Sequence, residues 1–389
     1  MRQITVLGNN SGRNAGDAAI LGNLLRDVSG EFSDILFKVP TTHPRFIRDH
    51  FGEFNVKPVP LLPWYGALKN FGLPLVVAML NTDLILICDN ILFDRKFYNP
   101  LFNNLASISL VAPFCKRRNI PIVMYNCSIG PIDFPYGKKA LQKVLDASDL
   151  VITRDRQTGE LLDQLELRYP ELIQHADCAL NTEPTAGAQL QRIIETEGLF
   201  QNPNGTIGFN VNAYIDNWSM TGVYSQDDFC RVVGESVDRI IEAFDVDVLF
   251  VCTQIMDLEN TGRCIGYSGH KDRIKVVSNK TYTYQDLAAL LGRLELHIGL
   301  RTHTLIFCAA VGTPMVDISS YPKSRGFMRT IGQEDRFIAF ENLNPDHILS
   351  VVGDVWDHRA GIREAMQPTV MEEKRKASAS AKLLRKYLA

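Results

Sequence analysis

The sequence lacks the closely spaced cysteine and histidine pairs that mark zinc sites. None of its eight cysteines forms a C-x-x-C pair, and its eight histidines contain no H-x-x-x-H pair. Several cysteines lie singly in apolar runs, which is typical of buried, reduced thiols rather than of a disulfide framework. The sequence therefore predicts neither a metal site nor a cross-linked secreted fold.

The sequence also lacks a charge excess and an uninterrupted apolar segment. With 41 Lys and Arg against 44 Asp and Glu, the formal net charge is −3, which gives no overall attraction to nucleic acid. The most apolar stretch, residues 73–93, contains two aspartates and two asparagines, whereas a bilayer-spanning helix needs about 20 residues with few charges. The first eight residues enter a strand directly and do not resemble a secretory signal. We therefore expect a cytoplasmic protein that has no nucleic-acid partner.

The charged end of the chain, residues 372–389, leaves two interpretations open. Its lysines and arginines are compatible with peripheral contact to an anionic membrane surface at the inner face of the membrane. They are also compatible with one solvated helix face whose leucines pack on the body of the protein, which is the commoner arrangement. The sequence does not indicate an oligomeric state.

Short apolar runs alternate with helical patterns along most of the chain. Continuous apolar runs such as Leu84–Cys88 are expected of strands that are buried on both faces. Alternation of strands and helices indicates parallel sheets covered by helices. We predict an α/β fold of two doubly wound, Rossmann-like domains facing a cleft, with an N-terminal domain at 1–180, a linker at 181–204 and a C-terminal domain at 205–389. The C-terminal helix is compatible with packing back on the N-terminal domain.

The strongest local pattern is an alternating strand that runs into an apolar helix at residues 294–314. Arg301, Thr302 and His303 fall at the turn, where the first helical N–H groups and the helix dipole favour negative charge. A guanidinium and an imidazole at that point predict a pocket for phosphate or carboxylate. In the alternative, Arg301 pairs with an acidic residue and His303 caps the helix.

The next strand is followed by two further cations, Lys323 and Arg325, in a segment expected to be a loop. Loops at the carboxyl ends of parallel strands often carry function, so both are candidate ligands of the same anion. A solvated loop is the competing interpretation.

A glycine-rich turn, residues 8–17, joins the first strand to the first helix. Its free backbone N–H groups suit an anion or a sugar, but it is neither G-x-G-x-x-G nor a P-loop. Asp17 at its end is a candidate base or a helix cap. In the same half of the chain, Arg154 opens another strand-to-helix turn and repeats the pattern of Arg301. Its neighbours Asp155 and Thr158 are as compatible with local capping as with ligand contact.

These segments, taken together, resemble the polysaccharide pyruvyl transferase family. The N-terminal turn 14–21 looks like the family's Gly-Asn-x-Gly-Asp signature, and Ile152–Asp155 looks like its central Arg-Asp element. The best match is the stretch from Tyr282 to Gly332, which includes Arg301-Thr302-His303, Gly312-Thr313-Pro314 and Pro322-Lys323-Ser324-Arg325. The resemblance implies a GT-B-like fold and transfer of the pyruvyl unit of phosphoenolpyruvate to two hydroxyls of a saccharide, which can be lipid-linked.

The resemblance also implies roles for the candidate residues. Arg154 and Arg301 would clamp phosphoenolpyruvate from opposite domains, with Thr302, Asn14 and the cations at 323 and 325 as further substrate ligands. His303 would protonate the methylene carbon as general acid, and Asp17 would accept the proton of the acceptor hydroxyl. No cofactor or metal is required, because arginines can stabilise the departing phosphate.

Two turns depart from the family pattern. Its Gly-Gly-Gly turn reads Cys88-Asp89-Asn90 here, and its Gly-x-Gly-x-Gly-Pro turn keeps only its end in residues 126–131. Two competing functions therefore stay open: glycosyl transfer from a nucleotide sugar, and a catalytically silent relative that binds saccharide or phosphate. Glu334 and Asp335 would be the candidate ribose ligands in the first of these.

Overall fold

The computed structural model describes residues 1–61, 72–95, 103–213, 225–319 and 322–388. By the density of their internal contacts these residues form two units. Unit 1 comprises Met1–Gly12, Asp17–Cys178 and Glu373–Ala389, and unit 2 comprises Arg13–Gly16 and Ala179–Glu372. The range 181–204, expected to be a linker, contains helix α7 (Gly187–Glu197) and clusters with unit 2.

Unit 1 is built on a seven-stranded parallel sheet of order β3-β2-β1-β4-β5-β6-β7. The strands are β1 (Arg2–Leu7), β2 (Ile35–Thr41), β3 (Val56–Pro60), β4 (Leu84–Ile87), β5 (Ile122–Cys127), β6 (Leu150–Thr153) and β7 (Leu172–Gln174). The helices described between them are α1 (Ala15–Glu31), α2 (Pro44–Phe51), α3 (Gly72–Leu80), α4 (Asn104–Arg117), α5 (Pro135–Ala147) and α6 (Arg156–Gln164). The middle strands β4, β5 and β6 are buried at every residue, because helices cover both faces of the sheet.

Unit 2 repeats this plan with a six-stranded parallel sheet of order β10-β9-β8-β11-β12-β13. The strands are β8 (Thr206–Phe209), β9 (Asp247–Cys252), β10 (Ile274–Ser278), β11 (Leu296–Gly299), β12 (Met315–Ser319) and β13 (Phe337–Ala339). After α7, the described helices are α8 (Gln226–Phe244), α9 (Asp257–Gly266), α10 (Tyr284–Leu291), α11 (Thr302–Val311), α12 (Pro322–Thr330) and α13 (Pro345–Leu383). A core of aliphatic and aromatic side chains from β8, β9, β11 and α8 lies on one face of this sheet.

In both sheets the strand order reverses beside the first strand. β1 lies between β2 and β4 in unit 1, and β8 lies between β9 and β11 in unit 2. In doubly wound sheets, ligands bind outside the carboxyl ends of the strands at this reversal. The loops after β1 and β4, and those after β8 and β11, are therefore where functional side chains are expected.

One predicted loop is a helix. Residues 322–330, expected to be a loop carrying Lys323 and Arg325, form α12. Pro322 occupies the first helical position, where its missing N–H costs no hydrogen bond and its fixed φ suits the helix. The two cations therefore sit on a helix rather than on a free loop, and Tyr321 lies outside the described residues.

The C-terminal helix α13 spans 39 residues, and its last part clusters with unit 1. There, Ser380 donates to Asn126 Oδ1 at 2.6 Å, and Asn126 Nδ2 donates to the carbonyl of Ala377 at 3.2 Å. Ala377 and Leu384 are fully buried. The end of the chain is thus part of the core packing of unit 1.

Candidate functional site

Arg301 lies at the carboxyl end of β11, where it is the N-cap of α11 with an extended backbone. Its guanidinium forms a two-pronged ion pair with Asp257: Nε to Oδ2 is 2.9 Å and Nη2 to Oδ1 is 2.5 Å. The side chain of Asp257 is fully buried and also accepts the N–H of Ala213 at 2.9 Å. The ion-paired alternative is therefore what the structure describes, and it fixes the plane of the guanidinium at the start of a helix.

The backbone at this turn is tied to β8, the neighbouring strand. The N–H of Arg301 donates to Asn210 Oδ1 at 3.0 Å, and Asn210 Nδ2 donates to the carbonyl of Val251 at 2.8 Å. Asn210 is buried directly after β8. This residue, which the sequence interpretation missed, links three strand ends of unit 2 at the point where the strand order reverses.

His303 lies in the first turn of α11 and packs against Gly16, a residue of the same unit. A Cβ placed on Gly16 would lie 2.1 Å from Cγ and Nδ1 of the imidazole, so only glycine allows this approach. His303 is not the N-cap of its helix, because Arg301 holds that position. The carbonyl of Arg301 accepts a hydrogen bond from Thr304 Oγ1 at 2.8 Å. Thr302, between them, is half-buried.

Asn14 belongs to the same unit as His303. Its side-chain oxygen accepts the N–H of Gly16 at 2.8 Å, and its backbone bridges to Gln254, just after β9. The N–H of Ala15 donates to the carbonyl of Thr253 at 2.7 Å. The structure therefore brings Asn14, Arg301, Thr302 and His303 together in unit 2, around the ends of β8, β9 and β11.

Asp17 lies in unit 1, in the first turn of α1, and its side chain is buried. Burial raises the pKa of its carboxyl well above the usual range, and the neighbouring charge of Asp89 raises it further. Arg154 and a hydrogen bond from Asn9 act in the opposite direction. Asp17 is not the helix cap, since α1 begins at Ala15. It is a buried carboxyl that holds its proton more firmly than an exposed one.

Asp89, which the sequence interpretation did not select as a site residue, follows β4 and has a left-handed backbone with φ of +65°. It is buried, and its Oδ1 lies 3.8 Å from Nη2 of Arg154. Asp17, in the first turn of the helix that follows β1, and Asp89, in the loop after β4, therefore lie where the strand order of unit 1 reverses. The distance of 72 residues between them in the chain explains why sequence inspection did not pair them.

Arg154, at the end of β6, is also enclosed by carboxylates. Its Nη1 lies 2.6 Å from Oδ2 of Asp177, and its Nε donates to Ser128 Oγ at 2.7 Å. Although burial opposes it, the charge of Asp177 and then of Asp89 holds the pKa of Arg154 above its usual value. Asp155 caps α6 by accepting the N–H of Thr158 at 2.8 Å, which is the local alternative for that residue. A donor-binding role for Arg154 stays a prediction.

Lys323 and Arg325 lie on α12, beyond the next strand of unit 2. Lys323 is half-buried, whereas Arg325 is exposed and its Cζ lies 4.6 Å from the centre of the Phe337 ring. Beneath them, the buried carboxyl of Asp317 on β12 has its pKa raised to about 7, mainly by burial. These cations are thus associated with a strand end adjacent to that of Arg301.

Other candidate groups fit structural roles. All eight cysteines are buried thiols, and burial raises the pKa of Cys88, Cys178 and Cys308. Among the described residues, no group of three His, Cys, Asp or Glu side chains has an arrangement that would hold a metal ion. In the same part of the chain, no helix is both long enough and apolar enough to span a bilayer.

Comparison with known proteins places the chain in a family. The family described as polysaccharide pyruvyl transferase matches residues 14–320. The amylovoran biosynthesis protein AmsJ of Erwinia amylovora is 22% identical over 96% of this chain and 96% of that protein.

Solved structures show the same fold at low sequence identity. The Anabaena protein HepE in complex with UDP has a TM-score of 0.62 at 14% identity, covering 100% of this chain and 99% of that one. UDP-GlcNAc 2-epimerase from Neisseria meningitidis bound to UDP-GlcNAc has a TM-score of 0.64 at 9% identity, with the same coverage. These similarities confirm the predicted GT-B-like class with two Rossmann-like domains. Because the family match spans most of the chain, the protein belongs to the polysaccharide pyruvyl transferase family and is a transferase.

Proposed function

We propose that this transferase moves the pyruvyl group of phosphoenolpyruvate to two hydroxyls of a saccharide, which forms a ketal and releases phosphate. Family membership and the similarity to a protein named for amylovoran biosynthesis support a role in polysaccharide biosynthesis. The observation that carries the proposal is the guanidinium of Arg301, held in one plane by Asp257 at the start of α11.

Phosphoenolpyruvate carries a phosphate and a carboxylate, so its site needs fixed positive charge. Asp257 holds the Nε–Nη2 edge of the Arg301 guanidinium, and we assign the other edge of the same plane to the donor, beside the positive end of the α11 dipole. Thr302 and Asn14 contribute polar groups in the same unit, and Lys323 and Arg325 are further cations on α12. We assign these residues of unit 2 to the donor.

The reaction moves two hydroxyl protons. The methylene carbon takes one proton from a general acid when it becomes a methyl group, and one hydroxyl proton restores that acid. The other hydroxyl proton leaves with the phosphate. We assign protonation of the methylene carbon to His303, whose ring is positioned against Gly16. We assign acceptance of a hydroxyl proton to Asp17, because a carboxylate with a raised pKa is a stronger base once it has lost its own proton.

The proposal is tested first by ligand binding. Calorimetry should detect phosphoenolpyruvate binding to the wild-type protein, and the same titration with UDP separates this function from glycosyl transfer. Turnover is measured as phosphate release with a panel of oligosaccharides, and the product should gain the mass of pyruvate less one water. Binding of UDP without binding of phosphoenolpyruvate would contradict the proposal.

Arg301→Lys tests the residue that carries the proposal. Lysine keeps the charge but cannot hold two oxygens in one plane, so phosphoenolpyruvate should bind at least about tenfold more weakly, a loss of roughly 1.4 kcal/mol. The matched control is Arg273→Lys in the same unit, which also pairs with two carboxylate oxygens, those of Asp245 and Asp247. It should leave donor affinity unchanged. Equal affinities in both variants would make Arg301 a purely structural ion-pair partner.

A further inference from the structure

Three consecutive helices of unit 1, α3, α4 and α5, present an unusual outer surface. Their inner sides pack into the core through residues such as Met79, Leu105 and Leu141. Their outer sides expose large apolar residues where polar ones would be expected. These are Leu73, Val77, Leu110, Phe114 and Tyr136, together with Phe134 directly before α5. We call this surface the α3–α5 face.

The exposed apolar residues are arranged as stripes rather than scattered. Leu73 and Val77 on α3 are four residues apart, as are Leu110 and Phe114 on α4, so each pair lies on one side of its helix. Leu110 is 68% exposed and Phe114 is 54% exposed, which is too open for a core contact within the described residues.

The three helices that carry these residues are neighbours. The ends of α3 and α4 meet where the Cys115 thiol contacts the carbonyl of Met79, and α4 packs along α5 up to the contact between Lys116 and Asp146. At the start of α5, the rings of Phe134 and Tyr136 stack with centres 5.1 Å apart. The exposed apolar residues therefore lie on three neighbouring helices of the same unit.

The charge of this face is opposite to that of the whole chain. No acidic residue occurs in α3 or α4, and α5 contains a single aspartate. The basic residues on or directly after these helices are Lys116, Arg117, Arg118, Lys138, Lys139 and Lys143. The protein as a whole has a formal net charge of −3. An apolar patch edged by lysine and arginine suits an anionic, partly apolar surface.

The basic tail, the other segment with this composition, is already engaged within unit 1. Arg385 pairs with Glu31 of α1, and Lys376 pairs with Glu373. Burial lowers the pKa of Lys374, and the tail leucines at 384 and 388 are buried. The tail therefore contributes to the packing of the unit, and its exposed lysines at 382 and 386 serve below as control positions.

We propose that the α3–α5 face docks on an anionic lipid bilayer. Its aliphatic and aromatic side chains enter the boundary between headgroups and acyl chains, and its lysines and arginines contact lipid phosphates. Such a contact keeps unit 1 at the surface where a lipid-linked saccharide would be presented. The inference does not depend on the identity of the pyruvyl donor.

The test is sedimentation of the full-length protein with vesicles. Binding is expected to vesicles that contain phosphatidylglycerol mixed into phosphatidylcholine, and it should weaken as salt is added. Vesicles of phosphatidylcholine alone should bind much more weakly. Failure to bind the anionic vesicles, or equal binding to both kinds, overturns the proposal.

Two double variants locate the contact. Leu110→Ser with Phe114→Ser removes apolar area, and Lys139→Glu with Lys143→Glu reverses two charges, so each should weaken vesicle binding at least about tenfold. Lys382→Glu with Lys386→Glu on the tail is the matched control for charge and should bind as the wild type does. If the tail variant alone loses binding, the α3–α5 face is not the contact.

Two further measurements make the result specific. Circular dichroism and phosphoenolpyruvate calorimetry should be unchanged in the two face variants, which separates this inference from the proposed reaction. Light scattering across a concentration range reports whether a second copy of the chain covers the patch instead. A dimer that is lost in the Leu110→Ser, Phe114→Ser variant would overturn lipid docking.

Discussion

At the scale of single residues, Asp17 shows how surroundings decide chemistry. Asp17→Asn should lower turnover strongly and leave phosphoenolpyruvate affinity almost unchanged, because Asn cannot accept a proton. The same substitution should stabilise the folded protein, although it lowers turnover. The pKa of Asp17 is raised in the folded protein, so its contribution to stability is present at low pH and is lost as the pH rises through the raised value.

Asp17→Asn should therefore melt at a higher temperature than the wild type in alkaline buffer, and the difference should shrink toward acidic pH. Melting curves over a pH series measure this. Glu53→Gln, which removes a carboxylate at an exposed position on the same unit, is the control and should change the melting temperature little at any pH. A loss of melting temperature with full turnover would mean that Asp17 has only a structural role.

Gly16 is the second residue whose replacement separates activity from folding. Gly16→Ala places a methyl group into the space of the His303 ring, so the imidazole must move. Alanine is favoured over glycine within a helix by about 1 kcal/mol, so reduced turnover could not be attributed to a weaker helix. We expect turnover to fall at least about tenfold, with a smaller effect on donor affinity.

The control for this substitution lies on the same helix. Gly30→Ala adds a methyl group that meets nothing within 4 Å, so it should raise the melting temperature slightly and keep full activity. Kinetic assays and melting curves on both variants decide the matter. Equal turnover in Gly16→Ala and the wild type would remove His303 from the proposed mechanism.

At the scale of elements, β11 contains a buried histidine that makes the stability of its unit depend on pH. His297 is fully buried in it, and neither ring nitrogen has a hydrogen-bond partner among the described residues. Burial lowers the pKa of His297 to about 3. Because an unfolded histidine titrates near 6.5, stability is lost as the pH falls from about 6.5 toward 3.

His297→Leu should remove part of this acid sensitivity. By pH 5 the histidine costs the wild type about 2 kcal/mol relative to neutral pH, and the variant should not show that loss. Urea unfolding at neutral pH and at pH 5 measures the difference. His358→Leu, on an exposed face of α13, should leave the acid sensitivity as it is.

The elements that could be predicted from sequence are those with long, uninterrupted patterns. β4 and β6 were recognisable because continuous apolar runs mark strands buried on both faces. β3 was missed because it contains two prolines, which are tolerated at the edge of a sheet where N–H groups need no partner. β7 and β13 have three residues each, too few for any period to appear.

The candidate site was predictable only where it follows a single segment. Arg301 and His303 stand at a strand-to-helix boundary, which the sequence marks by a change of period. Their supporting residues could not be found in this way, because Asp257 reaches Arg301 across 44 residues of chain. Asp89 was visible only as a departure from a glycine turn, and its pairing with Asp17 depends on the strand order.

At the scale of the whole molecule, the end of the chain is part of the core of unit 1. Removing Glu373–Ala389 takes away two hydrogen-bond partners of Asn126, at Ala377 and Ser380, and the buried residues at 377, 381, 384 and 388. Loss of these contacts should destabilise unit 1 by more than about 3 kcal/mol. Hydrogen exchange should show faster exchange in β5 and α1, with the strands of unit 2 little changed.

The control is Lys382→Ala, a substitution at an exposed position of α13, which should leave hydrogen exchange in β5 as in the wild type. Ser380→Ala is a smaller change, which removes the hydroxyl that donates to Asn126 Oδ1 and contacts His175 Nδ1, and it should cost about 1–3 kcal/mol. Unchanged exchange in β5 after truncation would show that the tail is only a surface attachment.

The left-handed backbone at Asp89 and Asn126 decides which side chains these two positions can carry. Asp89, with φ of +65°, follows β4, and Asn126, with φ of +46°, is the penultimate residue of β5. The family resemblance places glycines at both positions, and aspartate and asparagine are among the side chains that tolerate this conformation. A single substitution at such a place exchanges a bare turn for one that carries a carboxylate or an amide, without rebuilding the loop. At Asp89 the exchange supplies a buried carboxylate beside Arg154, and at Asn126 it supplies the amide that holds the end of the chain.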